Sequence, residues 1–164
     1  MTPHEFDYDY VVIGGGSGGI ASAKRASQLY GARVAVVEKS RLGGTCVNVG
    51  CVPKKVMFNA ATQAHFLAHE AQHYGFSGSR EVAKSFDWAK VKNARDVYVK
   101  RLNGIYEAGL RNANIDIVRG TATFRDEHTL AVTTDDKTFT HLTAKYIVIA
   151  TGGRPISPLS LLAC

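Results

Sequence analysis

The sequence predicts an α/β fold in which a parallel sheet is continued by short antiparallel strands. A β-branched apolar run at residues 9–13 ends in a glycine-rich segment. A helix-forming stretch and a second apolar run, at residues 33–38, follow it. This order of strand, helix and strand is typical of a βαβ unit. After residue 115 the apolar pattern becomes short and alternating, which indicates antiparallel strands.

Composition places the chain among soluble globular proteins. It has 164 residues, of which 45% are hydrophobic and 21% charged, enough for one ordinary domain with a buried core. The longest purely apolar runs, such as residues 147–150, are too short to cross a bilayer, so we expect no membrane partner. Residues 1–10 are polar and acidic and contain neither a signal-peptide pattern nor an Arg-rich leader. The expected location is the cytoplasm, or the mitochondrion if translation begins upstream.

The charge balance is basic without being concentrated. A net charge of +6 comes from 20 Lys and Arg against 14 Asp and Glu. The basic residues are scattered along the chain, which favours a solvated surface and argues against a nucleic-acid partner. The functional alternative is attraction of small anions such as a dinucleotide or a peptide carboxylate.

Capping and breaking residues set the expected element boundaries. Gly31 is a suitable C-cap for the first helix, Pro53 suits the first turn of the second helix, and Gly75 its end. Asp87 suits the N-cap of a third helix. The expected helices are residues 17–30, 53–74 and 88–112, with a loop at 76–86. The expected antiparallel strands are 115–124, 128–133 and 138–141, and a last apolar strand covers 145–151.

The glycine-rich segment fits the G-x-G-x-x-G pattern of a dinucleotide site. Gly14 permits the tight turn, Gly16 lets the backbone approach a pyrophosphate, and Gly19 allows close packing of helix on strand. The pyrophosphate would lie on the free N–H groups at the start of the following helix. Glu38 ends the second strand, where an acid accepts hydrogen bonds from a ribose. A glycine-rich turn without a ligand is the structural alternative, and the motif alone does not choose between FAD and a nicotinamide cofactor.

Two cysteines follow this unit and indicate redox chemistry. A disulfide between Cys46 and Cys51 requires a folded segment, and Gly50 gives the chain latitude to turn. Pro53 then opens a helix, which places Cys51 at or next to its N-terminus. The helix dipole and the lysines at 54–55 favour a thiolate there. A dithiol after a nucleotide site favours a flavin-dependent disulfide reductase.

Structural alternatives for the cysteines explain less. Zinc needs about four closely spaced ligands, which this pair does not supply. Buried free cysteines would leave the flanking glycines, proline and lysines unexplained. The odd count, with Cys164 as the third, argues against a secreted disulfide framework, and we expect Cys164 to remain free when the other two pair.

Two other side-chain patterns have a structural interpretation first. His65, His69 and His73 recur at every fourth position, which places them along one exposed polar helix face. They lack a carboxylate or cysteine partner in the sequence, so we expect no metal. Tyr98 and Tyr106 lie within about 80° of each other on a helix, a spacing for which core packing is the default explanation.

Taken together, several segments closely resemble the glutathione reductase family of pyridine nucleotide–disulfide oxidoreductases. The resemblance extends from about Tyr8 to Pro155. The run from Val49 to Lys55 favours this family over dihydrolipoamide dehydrogenases, which usually have Ile-Pro-Ser-Lys after the second cysteine. The segments of the resemblance are residues 14–19, Glu38, 43–55, 101–106 and 150–155.

The resemblance implies a Rossmann-like FAD-binding domain and assigns roles to individual residues. Cys46 resembles the thiol that attacks glutathione disulfide, Cys51 the charge-transfer thiol nearest the flavin, and Lys54 a group beside the flavin's reactive nitrogen. The family's FAD contacts correspond to Ser17, Gly18, Glu38, Thr45, Cys46 and Lys54, with the backbone around Ala122 and the glycines of the turn. Its glutathione contacts correspond to Ser17, Tyr98, Tyr106 and Lys24, where some relatives have an arginine.

The resemblance also implies an activity and a longer protein. In the family, NADPH reduces FAD, FAD reduces the disulfide, and the dithiol reduces glutathione disulfide within a homodimer. Residues 1–155 correspond to the N-terminal part of the FAD domain and residues 156–164 to an atypical tail. The NADPH-binding and interface domains, with the acid–base His–Glu pair, have no counterpart. A truncated or alternatively spliced product, or an error in gene prediction, explains this.

Rival functions remain open from the sequence. The enzyme alternatives are a thioredoxin or trypanothione reductase, or a nicotinamide short-chain dehydrogenase. The dehydrogenase is disfavoured because the chain has no Tyr-x-x-x-Lys. The alternative from another class is a non-catalytic fragment that binds a nucleotide or a full-length subunit.

Overall fold

The computed structural model describes residues 5–155. The predicted tail at 156–164, with Cys164, lies outside the described residues. Within the predicted segment 1–155 the structure distinguishes two compact units. One comprises the chain up to Ser40 and again from Ala113 onward, and the other is Arg41–Asn112.

The first unit is built on one sheet, which has six strands within the described residues. The strands are β1 (Tyr8–Ile13), β2 (Val34–Glu38), β3 (Ile115–Arg119), β4 (Thr121–Phe124), β5 (Thr129–Thr133) and β6 (Phe139–Ile149). Their order across the sheet is β3-β2-β1-β6-β5-β4. The pairs among β3, β2, β1 and β6 are parallel, whereas β6–β5 and β5–β4 are antiparallel. The predicted α/β fold with an antiparallel extension is confirmed.

Apolar side chains on alternate positions bury both faces of the central strands. Val11 of β1 and Val37 of β2 belong to a core cluster with Leu130, Val132 and Leu142. On the other face, helix α1 (Ser17–Tyr30) packs against β1 and β2 and buries residues including Ile20. Successive side chains of a strand point to opposite faces, so β-branched residues at every position suit a strand covered on both sides.

The last strand differs from its prediction. Residues 138–141 and 145–151 were expected to form separate strands, but β6 runs without a break from Phe139 to Ile149. Its first half pairs with β5 and its second half with β1. The residues between the predicted strands are Leu142, Thr143 and Ala144, and the buried Leu142 and Ala144 continue the alternating pattern of the strand across the predicted gap.

The segment 115–124 also differs from its prediction. It forms two strands separated by Gly120, and β3 pairs parallel with β2, with Ile115 opposite Val34. Only Thr121–Phe124 joins the antiparallel part of the sheet, opposite β5. The partner strand β2 lies far from β3 in the sequence, so the local pattern of β3 does not reveal that the two strands pair in parallel.

The second unit is helical within its described residues. Its helices are α2 (Gly44–Asn48), α3 (Cys51–His69), α4 (Ser79–Lys84) and α5 (Trp88–Arg111), with a 3-10 turn at Ala71–Tyr74. The Asp87 cap of α5 is confirmed, because the carboxylate accepts the N–H groups of Ala89 and Lys90 at 2.8 and 3.2 Å. No helix in the described part of the chain is long and apolar enough to cross a bilayer.

Three helical features correct the sequence-based expectations. The helix expected at 53–74 begins earlier, at Cys51, and gives way to the 3-10 turn after His69. The loop expected at 76–86 contains α4, and α2 was not predicted at all. Helices of five or six residues lack the repeated apolar spacing that identifies a longer helix, and most of their stability comes from tertiary packing.

Candidate functional site

The glycine-rich turn lies at the carboxyl end of β1, beside the carboxyl end of β6. The strand order changes direction here, since β2 and β3 lie on one side of β1 and β6 lies on the other. Ligands of open α/β sheets bind in the crevice outside such a switch point. The position of the turn therefore agrees with the dinucleotide site expected from the sequence.

The structure confirms the expected roles of Gly14 and Gly19. Gly14 has φ of 110°, and a Cβ there would lie 2.4 Å from the carbonyl oxygen of Ala150. A Cβ on Gly19 would lie 1.9 Å from the carbonyl oxygen of Gly14 and 3.1 Å from Val12 Cγ1. No side chain fits in either place, so the two glycines allow helix α1 to start directly against the strand.

The start of α1 leaves backbone donors for an anion. Gly16 is the N-cap, and within the described residues no side chain caps the helix and no acid lies in its first turn. The first intrahelical bond is donated by Ile20 to Gly16, which leaves the N–H groups of residues 17–19 outside the helical ladder. Ser17 and Gly18 are exposed, and a Cβ on Gly18 would meet nothing within 4 Å. This end of α1 fits a pyrophosphate.

Glu38 ends β2 and contacts the same turn. Its Oε2 accepts the Gly15 N–H at 2.7 Å, and its Oε1 accepts the Ser40 N–H at 2.8 Å. A carboxylate has about four acceptor positions, so the half-exposed Glu38 retains capacity for a ribose hydroxyl. Glu38 therefore also orders the turn, a role that the sequence did not reveal.

Two further residues of the first unit were predicted as contacts. Lys24 lies half-buried in the middle of α1. Ala122 lies in β4, opposite Val132 of β5, and packs at the edge of the core cluster. The structure brings Glu38 onto the glycine-rich turn through Gly15, whereas no contact of this kind ties Lys24 or Ala122 to the turn among the described hydrogen bonds.

The predicted redox residues lie in the second unit, at the junction of α2 and α3. Cys46 is the middle residue of α2 and is partly buried, whereas Cys51 is the first residue of α3 and is exposed. Gly50 allows the connection, because a Cβ there would lie 2.9 Å from the Thr45 carbonyl oxygen and 3.2 Å from Cys46 Cα. The predicted folded segment and the placement of Cys51 at a helix start are confirmed. Both cysteines are free thiols.

The environment of Cys46 shows that the two thiols are neighbours. The hydrogen bond with the Cys51 side chain raises the pKa of Cys46 above its usual value, and burial and the charge of a Cys51 thiolate act in the same direction. The backbone N–H groups of Cys51 and Val52, at the start of α3, oppose this rise in pKa. The N–H groups at the helix start therefore favour a thiolate at Cys46, whereas the sequence analysis expected this effect at Cys51.

The other predicted site residues of the second unit are Lys54, Tyr98, Tyr106 and Thr45. Lys54 is exposed and lines a groove of about 680 Å³ with Val49, Met57 and Trp88 among its walls. Tyr98 is 40% exposed, and the Arg101 guanidinium lies 5.4 Å from its ring centroid. Tyr98 is therefore not a core residue, so core packing, the default explanation of the Tyr98 and Tyr106 spacing, does not apply to it. Tyr106 is half-buried and Thr45 is exposed.

The histidine row lies on α3 and the turn after it. The His65 and His69 rings have centroids 4.6 Å apart, and His65 Nε2 lies 3.9 Å from Glu70 Oε1. His73 lies in the 3-10 turn, with its ring nitrogen 3.4 Å from Gln72 Nε2. Among residues 5–155, no three His, Cys, Asp or Glu side chains are grouped to hold a metal.

Sequence reasoning missed Asn48 and Asn103. Asn48 Oδ1 accepts from Asn103 Nδ2 at 3.0 Å, which joins the end of α2 to the middle of α5. The only signal in the sequence was an asparagine inside a predicted helix, where its propensity is poor.

Comparison with known proteins assigns the family. The sequence profile described as pyridine nucleotide-disulphide oxidoreductase matches residues 8–161. The chain therefore belongs to the pyridine nucleotide-disulphide oxidoreductases.

Within that class, the chain is similar to fungal glutathione reductases. It is 49% identical over 162 residues to the glutathione reductase of Yarrowia lipolytica, covering 95% of this chain and 33% of the relative. It is 48% identical over 160 residues to the glutathione reductase of Schizosaccharomyces pombe, covering 96% of this chain and 34% of the relative. The chain spans about a third of the length of these curated relatives.

Proposed function

We propose that this chain is the N-terminal part of the FAD-binding domain of a glutathione-disulfide reductase. The observation that carries the proposal is the neighbouring pair Cys46 and Cys51 at the start of α3, in a chain of the disulphide oxidoreductase family. A vicinal dithiol in such a family is suited to thiol–disulfide exchange. The similarity to two glutathione reductases supports glutathione disulfide as the substrate.

The cofactor of the proposed enzyme is FAD, with NADPH as cosubstrate. FAD, when bound, carries the electron pair of NADPH to the Cys46–Cys51 disulfide. The free N–H groups at the start of α1 fit the pyrophosphate of FAD, and the Glu38 carboxylate fits its ribose. In the second unit, Thr45 and Lys54 are the residues proposed to contact FAD.

The thiols themselves perform the substrate half of the reaction. Cys46 Sγ, as a thiolate, attacks one sulfur of glutathione disulfide, forms a mixed disulfide and releases one glutathione thiolate. Cys51 Sγ then attacks the Cys46 sulfur, forms the Cys46–Cys51 disulfide and releases the second glutathione. The dithiol loses two electrons and two protons, which the two glutathione products carry away.

Deprotonation of Cys46 would benefit from a nearby base. The hydrogen bond with Cys51 raises the pKa of Cys46 and so disfavours its thiolate, and a base that accepts the Cys46 proton would speed the attack. We propose that the base belongs to the partner subunit of a homodimer formed by a longer form of the protein, as the family resemblance implies. Tyr98, Tyr106 and Lys24 are proposed to bind the glutathione moieties.

Single-cysteine variants test the proposed order of thiol chemistry. The reduced chain is mixed with glutathione disulfide, quenched with acid and mapped by mass spectrometry. We expect two glutathione released for each Cys46–Cys51 bridge, with Cys164 unbridged. Cys51→Ser should trap glutathione on Cys46, and Cys46→Ser should trap far less on Cys51. A dominant bridge to Cys164, or trapping chiefly on Cys51, would contradict the proposal.

Assays with NADPH test the complete activity. The 164-residue polypeptide contains no second G-x-G-x-x-G for NADPH, so we expect no sustained NADPH oxidation with glutathione disulfide. The later Gly-Asp segment that completes the family's FAD site has no counterpart in it, so we expect weak retention of FAD. A polypeptide that carries the remaining domains should bind FAD and turn over. Stoichiometric flavin and turnover in the 164-residue polypeptide alone would contradict the proposal that the complete activity needs further domains. Faster exchange with thioredoxin or trypanothione disulfide would favour those rival substrates.

A further inference from the structure

Two asparagine side chains hold the segment before the dithiol. Asn103 Nδ2 donates to the Leu42 carbonyl oxygen at 2.8 Å and to Asn48 Oδ1 at 3.0 Å. Asn48 Nδ2 donates to the Leu42 and Gly44 carbonyl oxygens at 3.1 and 2.9 Å. We call this pair, Asn48 and Asn103, the amide clamp.

The amide clamp is a connected network in a half-buried place. Both asparagines are partly buried, and the Leu42 side chain is 1% exposed. The Asn48 amide uses its oxygen and its nitrogen, and the Leu42 carbonyl accepts from both clamp residues. Losing Asn103 leaves Asn48 Oδ1 without its donor and removes one of the two bonds to the Leu42 carbonyl, so the two asparagines are energetically coupled.

The contacts of the clamp bracket Cys46. The clamp contacts the carbonyls of Leu42 and Gly44, which precede Cys46 in the chain, and Asn48, which belongs to the clamp, follows Cys46. The connection from Asn48 to Cys51 is only Val49 and Gly50, and Gly50 already lies against the backbone of Thr45. The position of α2 therefore determines the distance from Cys46 to Cys51, and the clamp fixes α2 on α5.

We propose that Asn48 and Asn103 are positioning residues that hold Cys46 next to Cys51 and thereby set the stability of their disulfide. The proposal rests on the proposed thiol–disulfide function of the pair. Two thiols held close have a high effective concentration, which favours an intramolecular disulfide over two separate thiols. Without the clamp, α2 samples more positions in the reduced protein, and the bridge becomes easier to reduce.

The relevant equilibrium is thiol–disulfide exchange with glutathione. The Cys46 and Cys51 thiols react with one glutathione disulfide to give one Cys46–Cys51 bridge and two reduced glutathione molecules. The protein loses two electrons and two protons, which glutathione gains. Mass spectrometry after rapid alkylation in mixed glutathione buffers gives the equilibrium constant for the 164-residue chain, and this measurement needs neither flavin nor NADPH.

The test compares Asn48→Ala, Asn103→Ala and the double variant with the parent chain. Each single variant should lower the constant about fivefold, which corresponds to one net hydrogen bond. The double variant should fall by less than the product of the single effects, because the two residues share contacts. Asn93→Ala, an exposed asparagine on the same helix, is the matched control and should leave the constant unchanged.

A purely structural role gives a different result. A residue that only stabilises the fold lowers the unfolding free energy of the oxidised and reduced forms equally, which leaves the constant for the folded protein unchanged. Urea unfolding of both forms checks that each variant is folded, and Asn103→Leu, which removes the amide at nearly constant size without adding a charge, replaces Asn103→Ala if that variant is not. Constants within about twofold of the parent, multiplicative effects, or an equal fall in Asn93→Ala would overturn the proposal.

Failure of the proposed function has its own signature. A parent chain that does not form the Cys46–Cys51 bridge in any glutathione buffer contradicts the redox function itself. A parent chain that forms the bridge while the clamp variants behave like the parent contradicts only the positioning role.

Discussion

The Glu38 carboxylate binds the backbone of Gly15, with Oε2 2.7 Å from the amide nitrogen. The residue expected to recognise a ribose therefore also fixes the glycine-rich turn to the end of β2. Its second oxygen accepts the Ser40 N–H. A single carboxylate thus joins the glycine-rich turn, the end of β2 and Ser40, two residues beyond the strand.

Replacing Glu38 should destabilise the protein before any cofactor is added. Glu38→Ala removes an ionised acceptor of two backbone N–H groups, and we expect the free energy of unfolding in urea to fall by about 1–3 kcal/mol. Glu38→Gln retains a carbonyl acceptor and should lose less. Glu127→Ala, where the side chain is 88% exposed, is the control and should have little effect. Equal stability of the Glu38→Ala and Glu127→Ala variants would exclude the anchoring role.

Flavin affinity should fall in the same variant for an additional reason. In a longer, flavin-binding form of the protein, Glu38→Ala should weaken FAD binding by about 1–3 kcal/mol, because a ribose hydroxyl loses its acceptor. Fluorescence titration of the apoprotein with FAD measures the effect. Thiol exchange at Cys46 should be unaffected. An unchanged dissociation constant would show that Glu38 serves the turn alone.

Gly18 and Gly19 should respond in opposite ways to the same change. Gly19→Ala places a Cβ 1.9 Å from the Gly14 carbonyl oxygen, a backbone atom, so the start of α1 must move and stability should fall by about 3 kcal/mol or more. Gly18→Ala enters open space in a helical position and should leave stability unchanged or raise it by up to about 1 kcal/mol. Urea unfolding of both variants decides the matter. Similar stabilities would refute the described packing of α1 on β1.

The titration of Cys46 should depend on Cys51. The pKa of Cys46 is raised first by the hydrogen bond with Cys51, so its thiolate forms only above the usual pH. Cys51→Ala removes that cause, and the midpoint of the pH dependence of Cys46 alkylation should move to lower pH. Cys51→Ser keeps a hydroxyl that does not ionise and should give an intermediate midpoint. A midpoint that is unchanged or higher in Cys51→Ala would contradict the neighbouring placement of the thiols.

Tyr8 should make stability decline in strongly alkaline solution. Burial, donation to Asp116 Oδ2 at 2.9 Å and the charges of Asp116 and Asp7 raise the pKa of Tyr8 from 10.0 to about 12. The folded state therefore favours the protonated phenol. This contribution is complete below pH 10 and is lost as the pH rises from 10 to about 12.

The phenylalanine variant isolates that contribution. Tyr8→Phe should remove the part of the alkaline decline that belongs to Tyr8, measured as the urea midpoint across this pH range. Tyr30→Phe, at a side chain that is 77% exposed, should retain the decline of the parent protein. An identical alkaline decline in Tyr8→Phe and the parent would contradict the described environment of Tyr8.

The sequence by itself determined the parts of this protein that depend on near neighbours. The run from Gly14 to Gly19, the helix that ends at Gly31 and the Asp87 cap each involve residues within a few positions, and local sterics and hydrogen bonding decide them. The same holds for the start of α3 at Cys51, since Gly50 and Pro53 lie within two positions of it.

Only the tertiary structure decided the relationships between distant residues. The parallel pairing of β3 with β2, the unbroken strand β6 and the bonds of Glu38 to Gly15 and of Asn103 to Asn48 join positions far apart in the chain. Such contacts form only after loops have closed and apolar faces have been buried, so their energy is absent from any local window of sequence. The residues were visible in the sequence, but their partners were not.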